Sequence, residues 1–147
     1  MRPEDDPSWA SYARTILEFR GTEPVRVDLA RPIGPRAQAA FLAAGLPGCF
    51  GLVTPENPRG TRADPEANAR RWHQFRQALP GTAVPVDGLD PDSAHRERGV
   101  GLGWPRSRVL ALARQWEQSA IYWFDGHAMW VIGALTRTVP WRLGGGT

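Results

Sequence analysis

The sequence predicts an α+β fold, a mixed sheet with helices packed on it, and three observations predict it. Helical and strand hydrophobic periods alternate along the chain, the order from Cys49 onward is strand, helix, strand, strand, helix, strand, and Asp125-Gly126 marks a tight hairpin that adds one closing strand. That βαββαβ succession is the order of elements in ferredoxin-like folds, here with an extra C-terminal hairpin strand and an N-terminal helix. With 147 residues, 41% hydrophobic and 22% charged, the chain has the size and composition of one globular domain. That domain is expected over 1–143, followed by a flexible glycine-rich tail at 144–147.

The elements follow in order. Trp9, Tyr12, Ile16 and Phe19 stand at helical spacing and predict a helix over 8–19, stopped at Gly21. Val25, Val27 and Leu29 alternate with Arg26 and Asp28 as in a half-buried strand, and an Ala-rich helix is expected at 36–44. An apolar strand runs over 49–54. A Pro/Gly/Arg loop then leads to a helix over 64–79, with Asp64 as its N-cap and Pro65 in its first turn. Strands are expected at 82–87 and 97–103, separated by a polar turn. A helix over 105–117 carries the apolar stripe Val109, Leu112, Ala113 and Trp116. The run Ala120-Ile121-Tyr122-Trp123-Phe124 is apolar enough to be a central strand covered on both faces, and 127–132 closes the hairpin.

Composition narrows the function classes. All 18 basic residues are Arg, interleaved with acids to a net charge of +3, so no basic tract of the kind that drives non-specific nucleic-acid binding is present. Nucleic acid stays open as a partner without being indicated. The lone Cys49 forms no intrachain disulfide or cysteine metal site, which fits a reducing cytoplasm. Glu4, Asp5 and Asp6 stand where a signal peptide would carry basic charge, and no apolar run reaches spanning length. A cytoplasmic protein without membrane association is expected.

The polar residues with the strongest claim to function gather around the 64–79 helix. Trp72, Phe75 and Leu79 set its inward face, and Asn68, four residues before Trp72, shares that stripe. A buried amide must find partners or cost stability, so Asn68 either ties down the preceding loop or contacts a ligand. Arg71 flanks the same edge. The loop ahead of the helix joins a strand's carboxyl end to a helix N-terminus, where anions are often held, which makes Arg59 and Arg62 anion-binding candidates. An ordinary turn is the plain alternative. Asp87, Asp90, Asp92, His95 and Glu97 crowd one loop, yet their spacing fits no calcium or zinc pattern, so no metal is expected. No nucleophile stands with a base in sequence, which argues against a hydrolase triad. No cofactor is expected.

Several of these residues also carry a resemblance. Gly51-Leu52-Val53-Thr54-Pro55-Glu56-Asn57-Pro58, the helical Asn68, the segment opening at Glu97, and Trp116-Glu117-Gln118-Ser119-Ala120-Ile121 together resemble the bacterial family known as domain of unknown function 3293, over roughly 48–132. In that family a strand leads into a Thr-Ala-x-Asn-Pro turn, an Asn follows in the next helix, a Glu begins a later strand, and an aromatic-x-Gln-x-Ala step enters a last strand. The chain keeps Thr54, Asn57, Pro58, Asn68, Glu97, Gln118 and Ala120, and departs with Pro55 in place of Ala and Ser119 in place of Asn. The family name implies no activity.

The leading functional expectation is a binding or accessory module. Its polar pocket would be built from Thr54, Asn57, Asn68, Arg71, Glu97 and Gln118 and would hold a small polar ligand or a protein segment. A second reading is an enzyme acting on a nucleotide-like anion, with Glu97 as general base and arginines holding the anion. A third is an RNA- or single-strand-DNA-binding module that stacks bases on exposed aromatics.

Overall fold

The computed structural model describes residues 2–20, 23–92 and 95–145; the expected helix stop at Gly21 and the end of the expected tail, 146–147, lie outside them. In chain order the elements are α1 (Pro7–Ala10), β1 (Ile16–Phe19), β2 (Val25–Asp28), α2 (Pro35–Ala43), β3 (Phe50–Val53), α3 (Pro65–Gln77), β4 (Val84–Leu89), β5 (Arg96–Leu102), α4 (Arg106–Gln115), β6 (Ala120–Phe124), β7 (Met129–Gly133) and β8 (Trp141–Arg142). All eight strands form one sheet in the order β2-β1-β4-β5-β3-β6-β7-β8. Every pairing in it is antiparallel.

The five expected strands share this sheet, but the expected ferredoxin-like plan is overturned. The sheet is not mixed, it has eight strands where that plan has four plus a hairpin strand, it curls into a half-barrel, and three full helices pack on it where two were expected to do so. Apolar residues on both faces of the central strands explain the difference. Phe50 and Leu52 of β3 point into one core with Phe124, Met129 and Val131, whereas Val53 joins Val100, Val109, Ala113 and Ile121 in another. A sheet that is apolar on both sides needs cover on both sides. Helices α3 and α4 cover the outer face through Phe75, Val109 and Ala113, and α2 with the N-terminal segment covers the inner face through Phe41 and Trp9.

The N-terminal helix expected over 8–19 is the second correction. Helix α1 ends at Ala10, a 3-10 turn spans Tyr12–Arg14, and the chain then extends into β1 between β2 and β4. The helical spacing of Trp9, Tyr12, Ile16 and Phe19 concealed the shorter period of β1, in which Leu17 and Phe19 enter the core while Glu18 faces the other way. Glu18 is anchored there by Arg26 Nε at 2.9 Å and Arg96 Nη1 at 2.8 Å.

Strand β4 runs two residues past the expected end, to Leu89, which moves Asp87 out of the predicted polar turn. Its carboxylate is buried and accepts from Arg20 Nη2 at 2.6 Å and Arg96 Nη1 at 2.7 Å. Of the expected tail, Gly144 takes a left-handed φ of 66° and packs its backbone against Arg31. No helix among the described residues is long and apolar enough to cross a membrane.

Candidate functional site

The loop between β3 and α3 is held by its own side chains. Asn57 adopts a left-handed conformation, φ 51° and ψ 61°, which asparagine tolerates better than most residues. The turn exposes all of its polar atoms to partners. Its N–H donates to Asn68 Oδ1 at 2.9 Å, and its Oδ1 accepts from Asn68 Nδ2 and from the Ala63 N–H, both at 2.9 Å. Its Nδ2 donates to Glu97 Oε1 at 2.7 Å. Thr54 Oγ1 donates to the Arg98 carbonyl at 2.6 Å and accepts from the Glu56 N–H at 3.0 Å. The Glu56 carboxylate is buried and takes both the Arg98 N–H, at 2.8 Å, and Arg98 Nε, at 2.7 Å.

From the other side, Gln118 Nε2 donates to the Glu56 carbonyl at 3.1 Å, and Arg71 clamps the Pro55 and Trp116 carbonyls at 2.6 Å each. The loop is therefore pinned to α3, β5 and the α4–β6 junction at once. It is a rigid wall with Glu97 presented at its end.

That wall borders a cavity of about 280 Å³ on the inner face of the sheet. Strands β1, β4, β5, β3 and β6 all reach it, through Leu17, Val86, Gly99, Leu52 and Tyr122, as the curl of the sheet requires. Two glycines keep the floor hollow. At Gly88 a Cβ would come into ordinary contact with Thr15 Cγ2, at 3.6 Å, so a methyl fits there without a clash. At Gly99 a Cβ would fall 2.9 Å from the Val53 carbonyl oxygen and 3.1 Å from that of Val86, so only glycine lets β5 pass between its neighbours there. The rim is polar and includes Asn57, His95, Glu97, Gln118 and Tyr12.

The N-terminal segment closes the cavity from above. The Tyr122 hydroxyl lies 2.8 Å from Thr15 Oγ1 and 3.2 Å from the Tyr12 carbonyl oxygen, and the Tyr12 and Tyr122 rings meet edge to face at 5.6 Å between centroids. Burial, with the negative charges of Glu97 and Asp6 added, pushes the Tyr12 phenol up to about 12. Burial raises Tyr122 as well, against the opposing hydrogen bond to Thr15 and with Tyr12 and Glu97 adding to the rise. His95 Nε2 stands 3.5 Å from Glu97 Oε1, and both side chains keep about a third of their surface exposed, 31% and 35%.

The predicted site residues divide into two groups. Thr54, Asn57, Asn68, Glu97 and Gln118 do come together, but Asn68 and Gln118 meet only through the loop between them. Arg71 braces two carbonyls and lies outside the cavity wall. Arg59 and Arg62 are exposed and also off the wall; Arg59 pairs with Glu117 at 3.5 Å. The α3 N-terminus is capped from within, by Asp64 Oδ1 accepting from the Ala67 N–H at 2.9 Å. The carboxylates and imidazole of the 87–97 segment form no group placed to hold a metal among the described residues. Sequence reasoning missed Tyr12, Tyr122, Gly88 and Gly99. The curl that gathers them joins segments far apart in the chain, and the period of 8–19 pointed the wrong way.

Residues 53–121 match the sequence family described as "Protein of unknown function (DUF3293)", within the stretch over which the resemblance was read and including every polar residue of the pinned loop. No curated protein and no solved structure matches the chain.

Proposed function

We propose, for a chain whose residues 53–121 belong to the DUF3293 family, that the cavity on the inner face of the sheet is a binding site for a small, partly apolar organic molecule. One observation carries the reading: a cavity with an apolar floor and a few convergent polar groups, whose wall is fixed by a buried network. Ligand sites are concave, mostly apolar and preformed, and a volume of about 280 Å³ falls just below the roughly 300–1,000 Å³ such sites span, which suits a small molecule. Preorganised polar groups also bind at lower cost, because their ordering is complete before the ligand arrives.

The division of labour follows from burial. Asn57, Asn68, Arg71 and Gln118 spend their polar atoms on the protein itself, whereas Glu97 has one carboxylate oxygen engaged by Asn57 and remains partly exposed. Glu97 is the ligand-facing group and the others position it. An anionic nucleotide-like substrate is disfavoured by the placement of Arg59, Arg62 and Arg71 away from the cavity. Base stacking is disfavoured because Tyr122 and Trp123 pack against the two cores.

A thermal-shift screen of a small-fragment library against the parent protein and Gly88→Leu tests the proposal. Gly88 lines the cavity and a Cβ there meets only ordinary contact, so the leucine side chain would take up cavity volume. Fragments that raise the melting temperature of the parent should fail to do so in Gly88→Leu. Stabilisation of equal size in both proteins would contradict the assignment.

A further inference from the structure

We infer that the ligand is an organic cation, a protonated amine on an apolar body, held by the Glu97 carboxylate against the Tyr12 and Tyr122 rings. The inference rests on the small-molecule reading above and adds the ligand's charge and shape. The charge balance of the wall points to it. Among the described residues, the lining holds the carboxylates of Glu56, Asp90 and Glu97, the Arg14 guanidinium and the His95 imidazole. Arg14 is already paired with Asp92 outside the lining.

The carboxylates differ in how far they are neutralised. Glu56 is matched by Arg98 at 2.7 Å. Among the described residues no arginine is paired with Glu97: an amide donates to its Oε1, and His95 lies at 3.5 Å from the same oxygen. A carboxylate bonded by an amide on one oxygen is matched by a charge-assisted hydrogen bond from an ammonium group on the other. The field of Glu97 reaches across the cavity, since it contributes to the raised pKa of both tyrosines. A positive charge placed between them is favoured by the same field.

The apolar surroundings define the rest of the molecule. Leu17, Leu52 and Val86 form a floor with no charge, and the Tyr12 and Tyr122 side chains line the same cavity. A fully polar cation would leave that floor unsatisfied. An amine carried on a short hydrocarbon or aryl group meets both requirements.

Isothermal titration with three probes of matched shape, phenethylamine, 2-phenylethanol and phenylacetate, tests the charge preference in the parent protein and in Glu97→Gln. The amide keeps an oxygen to accept from Asn57, so the variant retains the wall, and an unchanged melting temperature verifies this. In the parent, phenethylamine should bind at least tenfold more tightly than 2-phenylethanol, about 1.4 kcal/mol, and phenylacetate most weakly. In Glu97→Gln the first difference should disappear while 2-phenylethanol binding persists. Equal binding of the amine and the alcohol by the parent, or tighter binding of phenylacetate, overturns the inference and leaves the small-molecule reading standing. Absence of binding by all three probes at millimolar concentration overturns both.

Discussion

At the scale of single residues, the account rests on Asn57 and Asn68, whose reciprocal amide pair is buried and ties the loop to α3. Removing one amide strands the other, so Asn68→Ala and Asn57→Ala should each lower stability by about 1–3 kcal/mol, read as a shift in urea midpoint. Glu97→Gln should leave stability unchanged or raise it, because a group held for a ligand often costs the fold something. The two glycines of the floor offer a sharper contrast. Gly99→Ala forces a Cβ against two carbonyl oxygens and should destabilise strongly, whereas Gly88→Ala meets only ordinary contact and should melt close to the parent. Asn68 was legible in the sequence because a polar residue on an inward stripe is anomalous by itself, and Asn57, Glu97 and Gln118 were legible through the family resemblance. Tyr12 and Tyr122 were not, since an aromatic in an apolar run looks like core until the surface it faces is known.

At the scale of elements, the decisive one is the N-terminal segment from α1 through β1, which lids the cavity and was read as a helix. The strand within it was legible only in the alternation of Ile16, Leu17, Glu18 and Phe19, four residues, too few to outweigh a twelve-residue helical pattern. Helices α3 and α4 and their strands were legible because long periods marked both, with the Asp64 cap added at the start of α3. The chain holds two tyrosines, Tyr12 in this lid and Tyr122 beneath it, both with raised pKa values. Ultraviolet absorbance should therefore show little phenolate in the folded protein near pH 10–11, while the unfolded chain titrates near 10. The linkage follows in sign: a folded pKa above the unfolded value favours the folded state below pH 10, and that contribution is lost as pH rises from about 10 through about 12. Normal phenol titration in the native protein would mean the lid is open. At the acid end, the Glu18 carboxyl is held below its ordinary range by hydrogen bonds from Arg96 and Arg26. Its contribution is present above the usual carboxylate pKa and is lost as pH falls through its lowered value, loosening β1 and β2 first. Amide exchange of those two strands, compared at neutral and acid pH, should show it.

At the scale of the whole molecule, the sequence carried the order of the central elements but not the shape of the sheet. Strand β8 is two residues long, β1 was disguised, and the antiparallel curl depends on pairings between residues as distant as Ile16 and Leu89. Those pairings are what create a cavity, so the site's polar wall could be read locally while its hollow floor could not. The central claim is that this hollow, and no other surface, receives the ligand. The most direct test is amide chemical-shift mapping of the protein titrated with phenethylamine. The account predicts that the perturbed signals cluster at Tyr12, Gly88, Glu97, Gly99, Gln118 and Tyr122. Perturbations confined to the outer face around Trp72 and Arg76, or absent altogether at millimolar probe, would contradict it.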